Sequence, residues 1–168
     1  MTKFEVRIAA IAALEIEEGD VLTDVGAGTG SISVEAALQG AAVYAVEEKH
    51  EGAELVRQNG AKFNADIHVI EASAPDGLTA MPSFNKCFIG GSGGRLRRIA
   101  DWADGSLSAG GIIAATFITM NNLNTFIAFL KDKGYADVEV KLLQVSCMDR
   151  LGMLKADNPI FIARGRKR

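Results

Sequence analysis

Short apolar, β-branched runs alternate with helical patterns along this chain, and that alternation restricts the fold more than any other feature. Candidate strands fall at residues 21–25, 42–46, 67–70, 85–89 and 112–117. Helical spacing fills the intervals at 31–38, 50–63 and 95–107, with only a short turn after Pro75. Strands separated by helices predict a parallel sheet covered on both faces. A helix precedes them, because Val6, Ile8, Ala9, Ile11, Ala12 and Leu14 recur at helical spacing. Thr2-Lys3-Phe4-Glu5 has the form of a capping box, which makes Thr2 the expected cap. Another helix over 121–131 is expected to stop at Gly134. The last two strands, 138–145 and 159–163, are joined by about a dozen residues without a helix, too few for a parallel crossover. The expectation is an α/β, Rossmann-like, doubly wound seven-stranded sheet, mostly parallel with an antiparallel C-terminal hairpin. Residues 1–168 read as one domain.

Composition narrows the function. The 168 residues are 48% hydrophobic and 23% charged, with a net charge of −3. That balance fits a globular fold and disfavours nucleic acid, whose phosphates demand many cations. Arg164, Arg166, Lys167 and Arg168 close the chain and read as a solvated basic tail. No apolar run is long enough to span a bilayer, and the opening residues lack a secretory pattern. A cytoplasmic protein without a membrane partner is expected. Cys87 and Cys147 each lie in an apolar run and read as buried free thiols. Two cysteines and two histidines, all scattered, offer no metal-ligand spacing.

The most informative segment is Asp24-Val25-Gly26-Ala27-Gly28-Thr29-Gly30, set between a strand and a helix. Glycines let such a loop turn sharply and approach a ligand closely. The second strand ends at Glu47, whose carboxylate should emerge beside that loop, where it can accept hydrogen bonds from both hydroxyls of a ribose. Dinucleotide loops read G-x-G-x-x-G and aim a helix at a pyrophosphate. Here the third glycine comes one residue early and Asp24 precedes the loop. That form resembles the first motif of class I methyltransferases, whose cofactor carries no phosphate. S-adenosylmethionine is the expected cofactor, with a nicotinamide or flavin as the competing reading. Asp24 would organise the loop or meet the cofactor's amino group.

Further motifs follow in order: Met1-Thr2-Lys3, then Glu5-Val6-Arg7, the loop continuing to Ala37, Val43 to Glu47, Ala74-Pro75, Phe88 to Gly94, and Asp157-Asn158-Pro159. Together they resemble the decarboxylating precorrin methyltransferases of cobalamin biosynthesis over nearly the whole chain. The resemblance implies C-methylation of a cobalt-precorrin tetrapyrrole at C15 with coupled decarboxylation. It implies cofactor contacts from Thr2, from Gly26, Ala27, Gly28, Thr29 and Gly30, from Glu47 and from Ala74. It also implies a homotetramer with late strands at the interface. Where the family has an asparagine and later a glutamate after the fifth strand, the matching positions here are Thr116 and Asn121. Other readings are a methyltransferase for another small acidic or aromatic acceptor, or a cofactor-binding module without catalysis.

On the substrate side, Gly90, Gly91, Ser92, Gly93 and Gly94 follow the fourth strand at the ligand-binding edge of the sheet. Their N–H groups would cradle carboxylates, and Arg95, Arg97 and Arg98 could clamp others. Thr116, Thr119 and Asn121, near the end of the fifth strand, are the residues expected to meet substrate during chemistry. His50 reads as a surface residue and His68 as a strand residue, neither as a base. Met81, Met120, Met148 and Met153 read as packing or loop residues.

Overall fold

Strands and helices alternate as that pattern requires, over residues 2–78 and 81–168, which the computed structural model describes. Met1 of the opening motif lies outside them. In chain order the elements are α1 (Phe4–Leu14), β1 (Val21–Val25), α2 (Ser31–Leu38), β2 (Ala42–Glu47), α3 (His50–Phe63), β3 (Ile67–Glu71) and β4 (Phe84–Ile89). There follow α4 (Leu96–Ser106), β5 (Leu107–Phe117), α5 (Met120–Asp132), β6 (Ala136–Leu143), β7 (Ser146–Met148), β8 (Leu154–Ala156) and β9 (Ile160–Arg166).

Seven strands form one sheet in the order β3-β2-β1-β4-β5-β9-β6. The pairs from β3 to β5 are parallel, and β9 runs antiparallel between β5 and β6. The chain winds outward from β1 to β3, then restarts on the other side of β1 with β4. That reversal opens a crevice beyond the carboxyl ends of β1 and β4, where open α/β sheets bind ligands.

Alternating side chains serve two cores. Leu22, Val43, Phe88 and Ala114 face α1 and α2. Val25, Cys87, Ile89, Ile113 and Phe117 face α4 and α5, packing with Phe126 and Phe129. Each such buried large side chain contributes about 1.5–3 kcal/mol. α5 ends in a Schellman motif: Gly134, at φ +71, donates to the Lys131 carbonyl and Tyr135 to that of Leu130.

α1 is anchored at its C-terminal end, where Lys86 Nζ donates to the Leu14 and Glu15 carbonyls and Arg164 donates to Ala13. Cations suit that end of the helix dipole. Its other end consequently projects over the crevice.

Three expectations need correction. Thr2 does not cap α1. The helix begins at Phe4, Lys3 precedes it, and no side chain caps it. The C-terminal cations are not a solvated tail, since Arg164 and Arg166 lie in β9 and pair with Glu15. Lys167 folds back to the carbonyls of Asp104 and Leu107. Cys147 is exposed on the small β7–β8 hairpin, while Cys87 is buried as expected. That hairpin occupies the connection between β6 and β9, where no strand was anticipated.

Candidate functional site

At the end of β1 the chain turns through Gly26, with φ +71. The Gly26 and Ala27 N–H groups both donate to the Val46 carbonyl, at 2.9 and 3.1 Å. A Cβ on Gly26 would lie 2.5–2.7 Å from the Gly91 backbone, so only glycine lets the loops after β1 and β4 touch. From the other side, Gly90 and Gly91 donate to the Val25 carbonyl, at 2.9 and 3.3 Å. The two glycine loops therefore form one rigid floor.

Glu47 closes β2 and is 9% exposed. Its Oε2 accepts the Gly28 N–H at 2.8 Å and its Oε1 accepts the Lys49 N–H at 3.0 Å. Each oxygen keeps a second lone pair for a ligand hydroxyl. Asp24 is 1% exposed and accepts the Ser33 hydroxyl at 2.6 Å, tying the loop to the first turn of α2. Burial pushes its carboxyl up to about 6, against the lowering effect of its bonds with Ser33.

Three clefts meet on this floor. The first, about 290 Å³, lies between Glu47, Glu48, Ala74, Gly91 and Arg95. The second, about 360 Å³, runs along Thr2, Asp24 and the loop from Gly26 to Thr29 as far as Gly90 and Thr116. Gly26 borders both. The third, about 260 Å³, is lined by Gly90, Gly91, Ser92, Thr116, Ile118 and Asn122. Gly90, Thr116 and Ile160 are shared by the second and third, so these open onto each other. Thr2, Asp24, Gly26, Ala27, Gly28, Thr29, Glu47 and Ala74 thus converge from four separate segments. Gly30 stands behind them as the residue preceding α2.

The residues expected on the substrate side divide. Gly90 and Gly91 hold the floor together and have no N–H left for an anion. Arg95 points to the first cleft, where Nε donates to the Ala74 carbonyl at 3.0 Å and Nη2 pairs with Glu48. Arg97 pairs with Asp101 and Asp132, and Arg98 with Asp76, on the outer surface. The third cleft holds no cation among its described lining residues. Gly94 lines none of the three clefts.

Thr116 lies at the junction of the second and third clefts. Thr119 caps α5, its Oγ1 accepting the Asn122 N–H at 3.5 Å. Asn121 is exposed and lines neither cleft, whereas Asn122, one residue on, lines the third. Successive helix residues point about 100° apart, so the sequence offered no signal for choosing between them. Ile118 and Ile160 were missed for a similar reason, since neither belongs to a motif. His50 is exposed against Glu71, and His68 stacks on Tyr44 at 5.0 Å. Met120, Met148 and Met153 are exposed, and Met81 packs beside the core.

Comparison with known proteins shows which family the chain resembles over its length. The precorrin methyltransferase domain family matches residues 1–163. A cobalt-precorrin-6B C(15)-methyltransferase (decarboxylating) of Salmonella typhimurium is 38% identical over 168 residues, covering 96% of this chain and 86% of that relative. A probable enzyme of the same name from Pyrobaculum aerophilum is 36% identical, with 96% and 86% covered. Among solved structures, a precorrin-6y C5,15-methyltransferase from Geobacter metallireducens superposes with a TM-score of 0.95 at 34% identity, covering 100% of this chain and 90% of that one. A precorrin 8W decarboxylase from Methanobacterium thermoautotrophicum gives 0.91 at 28%, with 98% and 91% covered.

Proposed function

The chain belongs to the precorrin methyltransferase family, and from that premise we propose that it methylates C15 of cobalt-precorrin-6B in cobalamin biosynthesis, with coupled decarboxylation. S-adenosylmethionine, when bound, supplies an electrophilic methyl group on a sulfonium. The residues present fit that molecule. A buried carboxylate with free lone pairs suits a ribose, and adjoining clefts of about 290 and 360 Å³ flank it. Glu47 would hold the sugar, Ala74 the base, and Thr2 with the Gly26–Thr29 loop the amino-acid end. Asp24 stiffens the loop through Ser33 and faces the same cleft.

The third cleft would receive the tetrapyrrole edge. Its lining of glycine, threonine, asparagine and isoleucine would offer the ring apolar and neutral polar contacts. An electron-rich macrocycle carbon supplies its own nucleophile, so orientation and desolvation account for most of the rate. No general base is needed at the lining, and none of its described residues is one.

Assembly as a homotetramer belongs to the same proposal. The edge strand β6 leaves Val138, Val140 and Leu142 exposed, and the β7–β8 hairpin exposes Met148 and Leu154. A cytoplasmic location also belongs to it. No described helix is long and apolar enough to cross a membrane.

The observation that carries the proposal is the bond from Gly28 N–H to Glu47, which fuses the glycine loop and the acid into one receptor. Calorimetry with S-adenosylhomocysteine tests it. Wild type should bind, and Glu47→Ala should weaken binding by about 1–3 kcal/mol. Absence of binding to folded wild-type protein would refute the cofactor. Mass spectrometry of cobalt-precorrin-6B after incubation should show methyl gain and loss of carbon dioxide. An unchanged tetrapyrrole would refute the substrate.

A further inference from the structure

Arg95 stands out because a single guanidinium ties together three loops that wall the first cleft. Its own N–H donates to the Ser92 carbonyl at 2.8 Å, which fixes its backbone at the start of α4. From there the side chain folds back beneath Gly93, where an added Cβ would lie 3.2 Å from Nη2. Nε then reaches the Ala74 carbonyl after β3, and Nη2 reaches Glu48 after β2. Its neighbours Arg97 and Arg98 form ion pairs on the surface, and Arg97 also lies over the Phe129 ring, but neither reaches the first cleft.

The bond to Ala74 changes what that residue can offer a ligand. The Ala74 carbonyl is held in place by a charged donor, and the Ala74 N–H, on a residue that lines the first cleft, makes no hydrogen bond to another described residue. Pro75 has no N–H to compete. A purine with an amino group at C6 has an acceptor at ring N1 and matches that N–H. A purine with a carbonyl at C6 carries hydrogen on N1 and opposes it donor to donor. Sites built around a hydrogen bond discriminate strongly against a ligand that cannot make it.

We propose that Arg95 is a positioning residue of the cofactor's base pocket, holding the Ala74 carbonyl so that the pocket selects a 6-aminopurine, and that it is not a clamp for substrate carboxylates. The proposal rests on the cofactor reading given above.

Calorimetry of wild type, Arg95→Met and Arg95→Lys with S-adenosylhomocysteine and with S-inosylhomocysteine separates the possibilities. Loss of the guanidinium should weaken the adenosyl ligand about 10-fold. It should weaken the inosyl ligand less, so the ratio of the two affinities shrinks. Arg95→Lys retains the charge but not the fork, and should shift the ratio the same way; it provides the reading should Arg95→Met not fold. At saturating cofactor, KM for the tetrapyrrole should stay within about 2-fold of wild type. An unchanged base ratio in a folded variant would overturn the proposal. So would a raised tetrapyrrole KM with cofactor affinity intact. If wild type bound neither nucleoside, the cofactor reading itself would fall and take this inference with it.

Discussion

The two ends of the site are built from different materials. At the cofactor end, β1, β2 and β4 deliver backbone: Gly26 and Ala27 bond to Val46, Gly90 and Gly91 bond to Val25, and Gly28 bonds to Glu47. At the acceptor end, β5, α5 and the start of β9 deliver side chains: Thr116, Ile118, Asn122 and Ile160. Backbone floors are rigid because each bond also belongs to a strand or turn that cannot move separately. Side-chain walls can be exchanged without disturbing the fold. One half of the molecule is therefore suited to holding an invariant cofactor, and the other to adapting to an acceptor.

The sharpest way to break this comparison is at the contact between the glycine loops. Gly26→Ala combines a left-handed backbone with a clash against the Gly91 main chain, which no rotamer relieves. It should lower stability by at least about 3 kcal/mol and abolish cofactor binding. Gly28→Ala has the same sign of φ, +60, but nothing within 4 Å of its new Cβ. It should cost about 1 kcal/mol. Urea unfolding of both proteins measures the gap. Equal losses would mean that the loops do not press together as described.

The same division explains what could be read from the amino-acid sequence. Positive φ and close backbone approach leave a local record, because glycine is the residue that satisfies them cheaply. Gly26, Gly28, Gly30 and Glu47 were therefore visible, as were the boundaries of α2 and α3. The acceptor wall has no such record. Asn122 differs from Asn121 only in which way the first turn of α5 faces, and that is decided by Leu123 and Phe126 packing beneath it. Arg95 read as a carboxylate clamp because its partners, Glu48 and Ala74, lie far away in the chain. Arg164 and Arg166 looked like a tail because their acids come from elsewhere in the chain, Glu15 from just after α1 and Glu139 and Asp137 from β6. The β7–β8 hairpin escaped notice because its strands are three residues each and fully exposed.

A second experiment probes how rigid the cofactor floor is electrostatically. Burial raises the Asp24 carboxyl from 3.8 to about 6, so the folded protein holds its proton more tightly than the unfolded chain does. The resulting stabilisation is complete below about pH 4 and disappears as pH rises through about 6. Its size is on the order of 3 kcal/mol. Glu15 and Asp149 run the other way, their carboxyls being lowered chiefly by Arg164 and by the Met153 N–H respectively. The difference between wild type and Asp24→Asn isolates Asp24 from them. Between pH 4 and 6.5, wild-type stability should fall relative to the variant in urea titrations. Parallel curves would show that Asp24 is not held in a water-free position.

The smallest effect expected is also the one that best tests the division of labour. Thr116 borders both the second and third clefts, but the cofactor floor next to it is already fixed by backbone bonds from Gly90 and Gly91. Removing its hydroxyl in Thr116→Val keeps the shape and deletes one neutral hydrogen-bonding group, worth about 1 kcal/mol. The tetrapyrrole KM should rise about 5-fold, while S-adenosylhomocysteine affinity stays unchanged, because no hydrogen bond of the floor passes through this side chain. A matching loss of cofactor affinity would place Thr116 on the backbone-built side of the boundary. The two ends would then share a wall, and a change of acceptor could not be made without disturbing the cofactor.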